Sequence, residues 1–229
     1  CQIPDQRCRW KRCSRKLETG RAASVVQFLP DAHLWQGVED PYLYTCTAEL
    51  VRRNETVDEV TVRFGIREFY VDKEKGFFLN GKPMKLRGVS RHQDKLYQGN
   101  ALTKEDHRLD ADLIREVGAN TIRLAHYQHS QDFYDVCDEY GFVVWAEIPF
   151  ISVMNQDPDA HQNCISQLKE LIIQNYNHPS ICFWGISNEI LIGGISEKLV
   201  ENHKELNALD KRTEFKPSDN DCARIHDSN

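Results

Sequence analysis

The sequence predicts an α/β protein in which a short all-β segment leads into a parallel sheet. Three observations carry this. From Leu86 to Leu206, apolar runs of strand length alternate four times with stretches of helical periodicity, as in successive β-α units joined by right-handed crossovers. Before them, residues 28–72 alternate with period two, as half-buried antiparallel strands do. The four later strands are followed by Arg91-His92, His126-Tyr127, Glu147 and Asn188-Glu189, and none by a Gly-rich phosphate loop. A barrel and a doubly wound sheet both fit that rhythm, and polar residues at every strand end favour the active face of a barrel.

Taken in order, residues 1–27 have no period and stay unassigned. Tyr44, Cys46, Ala48 and Leu50 alternate with polar neighbours, and Val60, Val62 and Phe64 do so again after a polar turn over Arg52–Asp58. Two or three such strands are marginal alone, so they read as the last part of a β-sandwich. Phe69–Lys85 carries a hairpin around Asn80-Gly81, a dipeptide that tolerates two positive φ angles. Leu86–Ser90 is the first parallel strand. Thr103 caps a helix with Asp106 three residues on, and Leu109, Leu113, Ile114 and Val117 share a face before Gly118 ends it. Thr121–Ala125 is a strand. Ser130 then caps a helix carrying Phe133, Val136, Cys137 and Tyr140, which Gly141 ends; Phe142–Ala146 is the third strand. Cys164, Leu168, Leu171 and Ile172 mark the third helix, and Leu199, Val200, His203 and Leu206 the fourth.

Between those helices lies the stretch around which the chain is organised, Asn175 to Glu189. Pro179 cannot continue a helix and pushes His178 out of the α region. Ile181–Ile186 is then a near-continuous apolar run, as a strand covered on both faces requires. Ser187, Asn188 and Glu189 close it with polar groups at the carboxyl end, where such sheets hold their ligands. An isolated Asn-Glu pair is more often the start of a loop; the flanks single this one out. Glu189, a carboxyl at the end of a buried strand, is expected to be partly buried there, and desolvation raises the pKa of such a group.

The totals exclude several classes. At 229 residues, 40% hydrophobic and 28% charged with net charge -6, the composition is that of a globular protein able to bury a core. No nucleic-acid partner is expected, since the one basic cluster, Arg7–Lys16, lies at an irregular end. No membrane span or signal-peptide pattern is seen, which favours a cytoplasmic location. The eight cysteines form no C-x-x-C pair and are expected reduced, with Cys137, Cys164 and Cys182 as small buried hydrophobes. The nine histidines show no metal spacing, so no metal ligands are assigned. Asn54-Glu-Thr56 matches a glycosylation tripeptide and is discounted without a secretory signal.

Over Asp31 to Leu209 the residues resemble the family-2 glycoside hydrolases, which comprise β-galactosidases, β-glucuronidases and β-mannosidases. The resemblance rests on Leu34-Trp-Gln-Gly-Val-Glu-Asp-Pro-Tyr-Leu-Tyr44, Phe64-Gly-Ile-Arg67, Leu86-Arg-Gly-Val-Ser-Arg-His92, Asn120-Thr-Ile-Arg-Leu-Ala-His-Tyr127, Tyr140-Gly-Phe-Val-Val144 and Asn177-His-Pro-Ser-Ile-Cys-Phe-Trp-Gly-Ile-Ser-Asn-Glu189. Each is weak alone; together, in order and at family spacing, they are specific. The resemblance implies the first half of a (β/α)8 TIM barrel preceded by the end of an immunoglobulin-like β-sandwich. The expected divisions are an unassigned segment 1–27, the sandwich end 28–72, the half-barrel 73–211 and an irregular tail 212–229. A shifted reading frame would explain both odd ends.

For the site, the resemblance implies that Glu189 is the general acid/base and that Asn188 holds the sugar hydroxyl beside the reacting carbon. Arg123 would orient the nucleophile, and His126 and His92 would line the sugar pocket. The nucleophile, a glutamate on a later strand, is expected outside this chain. Bland readings stand beside these: Arg123 as a strand-end ion pair, His92 as a loop histidine, Glu147 as a sugar ligand, metal ligand or salt bridge. Gln128 departs from the family's proline after His-Tyr. The β-galactosidase branch is preferred, through Trp35–Pro41 and Trp145–Pro149, over β-glucuronidase or β-mannosidase. A non-catalytic carbohydrate-binding or assembly subunit, completed by another chain, is the alternative of a different class. The expected ligand is a β-galactoside, and the expected association is a homo-oligomer or a complementing carboxyl-terminal half. No cofactor is required, and any Mg2+ or Na+ dependence is assigned to the complete barrel, Glu147 and Glu189 being the carboxylates here that could meet a hard cation.

Overall fold

A computed structural model describes residues 29–157 and 159–210. Both irregular ends, including Arg7–Lys16 and the tail from 212, lie outside the described residues.

Strands β1 (Tyr44–Arg52) and β2 (Glu55–Phe64) form an antiparallel hairpin with Tyr44 opposite Phe64. The wide turn expected over Arg52–Asp58 is only two residues, because Arg53 and Asn54 both take positive φ, 51° and 67°, and close the hairpin tightly. The alternation does mark strands, but Leu50, Val60 and Val62 are exposed: no second sheet covers them among the described residues.

Strands β3 (Phe69–Asp72), β4 (Gly76–Leu79) and β5 (Lys82–Pro83) form one sheet, turning at Asn80-Gly81 with φ of 48° and 74°. The expected division at 72/73 therefore cuts a ladder, since Phe69 pairs with Leu79 and Asp72 with Gly76.

The parallel sheet comprises β6 (Gly88–Arg91), β7 (Thr121–Leu124), β8 (Val143–Glu147) and β9 (Ile181–Gly185), hydrogen-bonded in chain order. Strand order never reverses, as it would at the switch point of a doubly wound sheet. Helices α1 (Lys104–Glu116), α2 (Gln131–Tyr140), α3 (Ala160–Asn175) and α4 (Glu197–Asp210) complete the units. Thr103 and Asp106 form a reciprocal capping box, Ser130 caps α2, and Gly141 ends α2 in the left-handed region. The face expected to bury α1 is partly wrong. Leu109 and Leu113 are 48% and 53% exposed, while His107 and Ala111 are buried. The helix packs on α2 along one flank, and nothing described covers the other.

Two cores result. Ile122, Leu124, Val144 and Ala146 face the helices, meeting Phe133, Leu168, Leu171 and Leu206. Val143 and Cys182, near the amino ends of β8 and β9, pack instead against Trp35, Phe69, Phe77 and Leu79. The β3–β5 sheet thus closes the amino-terminal end of the parallel sheet and leaves the opposite end open.

Most motifs behind the family resemblance meet at that closed end. The Trp35 indole donates to the Asp138 carbonyl at 3.0 Å. Gly141 abuts the Gly37 backbone so closely that a Cβ there would lie 2.2 Å from the Gly37 carbonyl, and its φ of +77° disfavours any side chain. Arg67 is buried, donates to the carbonyls of Pro179 at 2.7 Å and Ile181 at 2.6 Å, and lies over the Phe69 ring. Asp138 accepts from His178 at 2.6 Å and from the Ser180 backbone at 3.1 Å. His178, Pro179 and Ser180 are therefore anchoring residues that set where β9 begins, and so where Asn188 and Glu189 emerge.

Candidate active site

At the open end the chain leaves β9 at Gly185 and delivers Asn188 and Glu189. Asn188 pairs with Ile151 across an isolated bridge, its N–H donating to the Phe150 carbonyl at 2.9 Å and its carbonyl accepting from Ser152 at 2.9 Å. Glu189 then takes the left-handed conformation, φ 51° and ψ 24°, and its carbonyl accepts from Ile192 at 3.0 Å. Backbone strain of this kind, held by flanking hydrogen bonds, is characteristic of functional positions. The expected partial burial of Glu189 is not there. Its side chain is exposed, because the chain has cleared the sheet edge, and nothing among the described residues hydrogen-bonds its carboxylate.

Beside it lies a polar network from three strand ends. Glu147, only 1% exposed, accepts from Arg123 Nε at 2.5 Å and Nη2 at 3.2 Å, and its Oε2 lies 3.1 Å from His126 Nδ1. Arg123 Nη2 also donates to Asn188 Oδ1 at 2.8 Å and lies 3.1 Å from His126 Nδ1. His92 borders the group, its ring 5.1 Å from that of His126 and its Nδ1 3.5 Å from the Tyr127 hydroxyl. Arg123 is thus the strand-end ion pair of the bland reading and also an anchor for Asn188. Glu147 is a buried salt bridge, with both oxygens engaged.

Gly185 was passed over in the sequence, yet it makes room for this network: a Cβ there would come within 2.3 Å of the Trp145 indole nitrogen and 2.5 Å of Glu147 Cγ. A lone glycine inside an apolar run was the available signal. Ser187 Oγ meets His203 Nε2 at 2.9 Å, a contact that spacing alone does not reveal.

Arg91, grouped in the sequence with His92 as a strand-end polar pair, belongs to β6 and points away from the site. It is buried, pairs with Asp110 Oδ2 at 2.7 Å, stacks on Phe133, and donates to His107 Nδ1 at 3.0 Å and His129 Nδ1 at 3.1 Å. Burial first, and the Arg91 charge after it, hold His129 at about 3 against its hydrogen bond to the Ala125 carbonyl. Folded His129 stays neutral while the unfolded chain takes up a proton below about pH 6.5. Its contribution is therefore complete above that pH and is lost as pH falls towards 3, by up to about 5 kcal/mol. Urea midpoints at pH 7.5 and 4.5 should separate more in the native chain than in His129→Gln. Equal separations would assign the acid sensitivity elsewhere.

For metal binding, the described residues contain one cluster of suitable side chains, Asp135, Asp138 and His178, with ligand atoms within 4.8 Å of one another. It lies at the closed end, Asp138 is committed to His178 and Ser180, and Asp135 pairs with Arg63. Among the described residues no helix is long and apolar enough to cross a membrane. Cys46, Cys137, Cys164 and Cys182 are all free thiols, and of these Cys46 is exposed.

Comparison with known proteins decides the family. The profile for glycosyl hydrolases family 2, TIM barrel domain, matches residues 70–214, and that for glycosyl hydrolases family 2 matches residues 11–67. The chain belongs to glycoside hydrolase family 2. Within that family, a β-glucuronidase of Bacteroides fragilis is 43% identical over 210 residues, covering 87% of this chain and 30% of its own length. A β-galactosidase of Thermoanaerobacter pseudethanolicus is 37% identical over 191 residues, covering 81% and 24%. The crystal structure of an FMN-binding β-glucuronidase from Facaelibacterium prausnitzii L2-6 is 62% identical with a TM-score of 0.79, covering 83% of this chain and 29% of that one. The chain thus spans 30% or less of each of these relatives. In family-2 terms, β6–β9 with their helices are the first half of the TIM barrel, and β1–β2 are the end of the immunoglobulin-like domain. Both β-glucuronidases and β-galactosidases stand among the relatives, so the galactosidase preference is not supported. Trp35, in the Trp35–Pro41 stretch on which it partly rested, packs at the closed end of the sheet.

Proposed function

We propose that this chain carries the proton-donating half of a retaining β-glycosidase site, with Glu189 as general acid/base. The observation that carries the reading is the Arg123–Asn188 bond. An arginine can only donate, so the Asn188 atom 2.8 Å away is its oxygen, and the amide NH2 is left to meet a sugar hydroxyl beside Glu189. In this mechanism Glu189 protonates the glycosidic oxygen, and a second carboxylate, about 5–5.5 Å away, attacks the anomeric carbon. Glu147 does not suit that second role: it is buried, and both its oxygens are already bonded. His126 and His92 line the sugar, and Arg123 Nη1, without a partner among the described residues, faces the nucleophile. No cofactor takes part in these steps, and any Mg2+ or Na+ belongs to the completed barrel.

The sugar favoured is a β-glucuronide, because the B. fragilis and F. prausnitzii relatives carry that name. A β-galactoside is the second reading, favoured by the T. pseudethanolicus relative. The proposal extends to assembly. The edges of β6 and β9 and the flank of α1, unpaired and uncovered among the described residues, suit association with a carboxyl-terminal half or with further copies.

The test is to assay nitrophenyl β-glucuronide and β-galactoside in parallel, with the chain alone and with the chain joined to the carboxyl-terminal half of a family-2 relative. Turnover is expected only in the joined protein, and faster on the glucuronide. Robust turnover by the chain alone that vanishes in Glu189→Gln would place a nucleophile within these residues and overturn the division of roles. No turnover in the joined protein, with an intact relative active beside it, would favour a non-catalytic subunit.

A further inference from the structure

We propose that Glu147 is a positioning residue that assigns the hydrogen-bonding polarity of the pocket, fixing His126 as the Nδ1–H tautomer and, through Arg123, the orientation of the Asn188 amide. What a ligand would meet rests on the glycosidase reading; the tautomer itself does not.

The assignment follows from counting protons. Arg123 carries hydrogens on every nitrogen and accepts none, and an ionised Glu147 only accepts. One Nη2 hydrogen goes to Asn188 Oδ1 at 2.8 Å, and Nε binds Glu147 Oε1. His126 Nδ1 lies 3.1 Å from both Glu147 Oε2 and Arg123 Nη2. If Nδ1 lacked its proton, its lone pair would face a carboxylate oxygen with no hydrogen between them. With Nδ1 protonated, that contact becomes a charge-assisted bond, and the second Nη2 hydrogen is left for Glu147 Oε2 at 3.2 Å. A buried carboxylate is of lower energy with three donors on its two oxygens than with a ring lone pair facing one of them.

The consequence reaches the open side. In neutral His126 the other nitrogen, Nε2, then has no proton and accepts, while Asn188 Nδ2 and Arg123 Nη1 donate. The pocket presents one acceptor and two donors at defined places. It thus suits a ligand hydroxyl that donates to His126 while its neighbour accepts from Asn188, as two adjacent ring hydroxyls of a sugar can. The same ring nitrogen would repel a carboxylate unless it took up a proton. The glucuronate carboxylate is therefore not expected against His126.

The experiment is 15N NMR of the full chain labelled at histidine, at pH 8, with His126 identified by the signal lost in His126→Gln. Native His126 should show a protonated Nδ1 and a bare Nε2. Glu147→Gln removes the charge that holds the Nδ1 proton, and the second Nη2 hydrogen then turns to Nδ1, so the two nitrogen shifts should exchange places. Glu147→Asp and Arg123→Lys, which keep the carboxylate, should retain the native pattern. A native Nε2–H tautomer, a doubly protonated ring at pH 8, or an unchanged pattern in Glu147→Gln would each overturn the proposal, and the native measurement decides even if a variant fails to fold. In the joined, active protein, Glu147→Gln should lower kcat/KM by on the order of 10²-fold, with Glu147→Asp recovering part of it. An exchanged tautomer with unaltered kcat/KM would break the link to catalysis. Because the tautomer is read without turnover, failure of this assignment is distinguishable from failure of the glycosidase reading.

Discussion

Glu189→Gln in the joined enzyme should lower turnover of an alkyl β-glycoside by a factor on the order of 10²–10⁴, because the variant keeps the side-chain shape and removes the only proton offered to a poor leaving group. The leaving group sets the size of the loss. A nitrophenyl glycoside departs with little protonation, so its glycosylation step should be much less affected. General-base activation of water in the second step is lost for both substrates, and an added small anion such as azide, which needs no base, should restore turnover of the activated one. Near-native rates on both classes of substrate would remove Glu189 from the mechanism.

The second large effect lies at the other end of the sheet. Arg67→Ala should destabilise the fold by about 3–5 kcal/mol, since it removes two charge-assisted hydrogen bonds and leaves two buried carbonyls without donors. Those carbonyls belong to Pro179 and Ile181, at the start of β9, and the lost guanidinium also vacates its place over Phe69. Arg67→Lys keeps a cation but has one nitrogen where two are used, so it should recover only part of the loss. Urea denaturation gives the difference directly. A midpoint within error of the native chain would mean that the Phe64-Gly-Ile-Arg67 segment does not hold the barrel strand in place.

These two residues show how differently the parts of the chain could be read. Elements were legible because they depend on local rules: Thr103 with Asp106, Ser130 and Gly141 delimit helices by backbone chemistry within a turn or two. That the strands run parallel was legible for the same reason, but a barrel and a doubly wound sheet fit the same rhythm, and the observed order without a reversal decides between them. Exposure was harder to read. Leu109 and Leu113 have the spacing of a buried stripe, and whether a stripe is covered depends on which element lies opposite, a fact about distant residues. Motif function was the least legible. His178 and Ser180 stand a few positions from Glu189 and look equally chemical, yet a strand of five residues separates the two ends of a barrel, and they serve the closed one.

From the sequence alone came the repeated β-α rhythm, the place where β9 stops, and Asn188 and Glu189 at its carboxyl end, because periodicity, proline and chain direction are local properties. Only the tertiary structure decided that Arg123 bonds both Glu147 and Asn188, that Arg91 points away from the site, and that Glu189 is exposed. Those outcomes depend on the register of β7, β8 and β9 and on the space left by Gly185, where side chains 24 and 65 residues apart come within hydrogen-bond distance. No local pattern encodes a contact whose partner is chosen by the packing of the whole sheet.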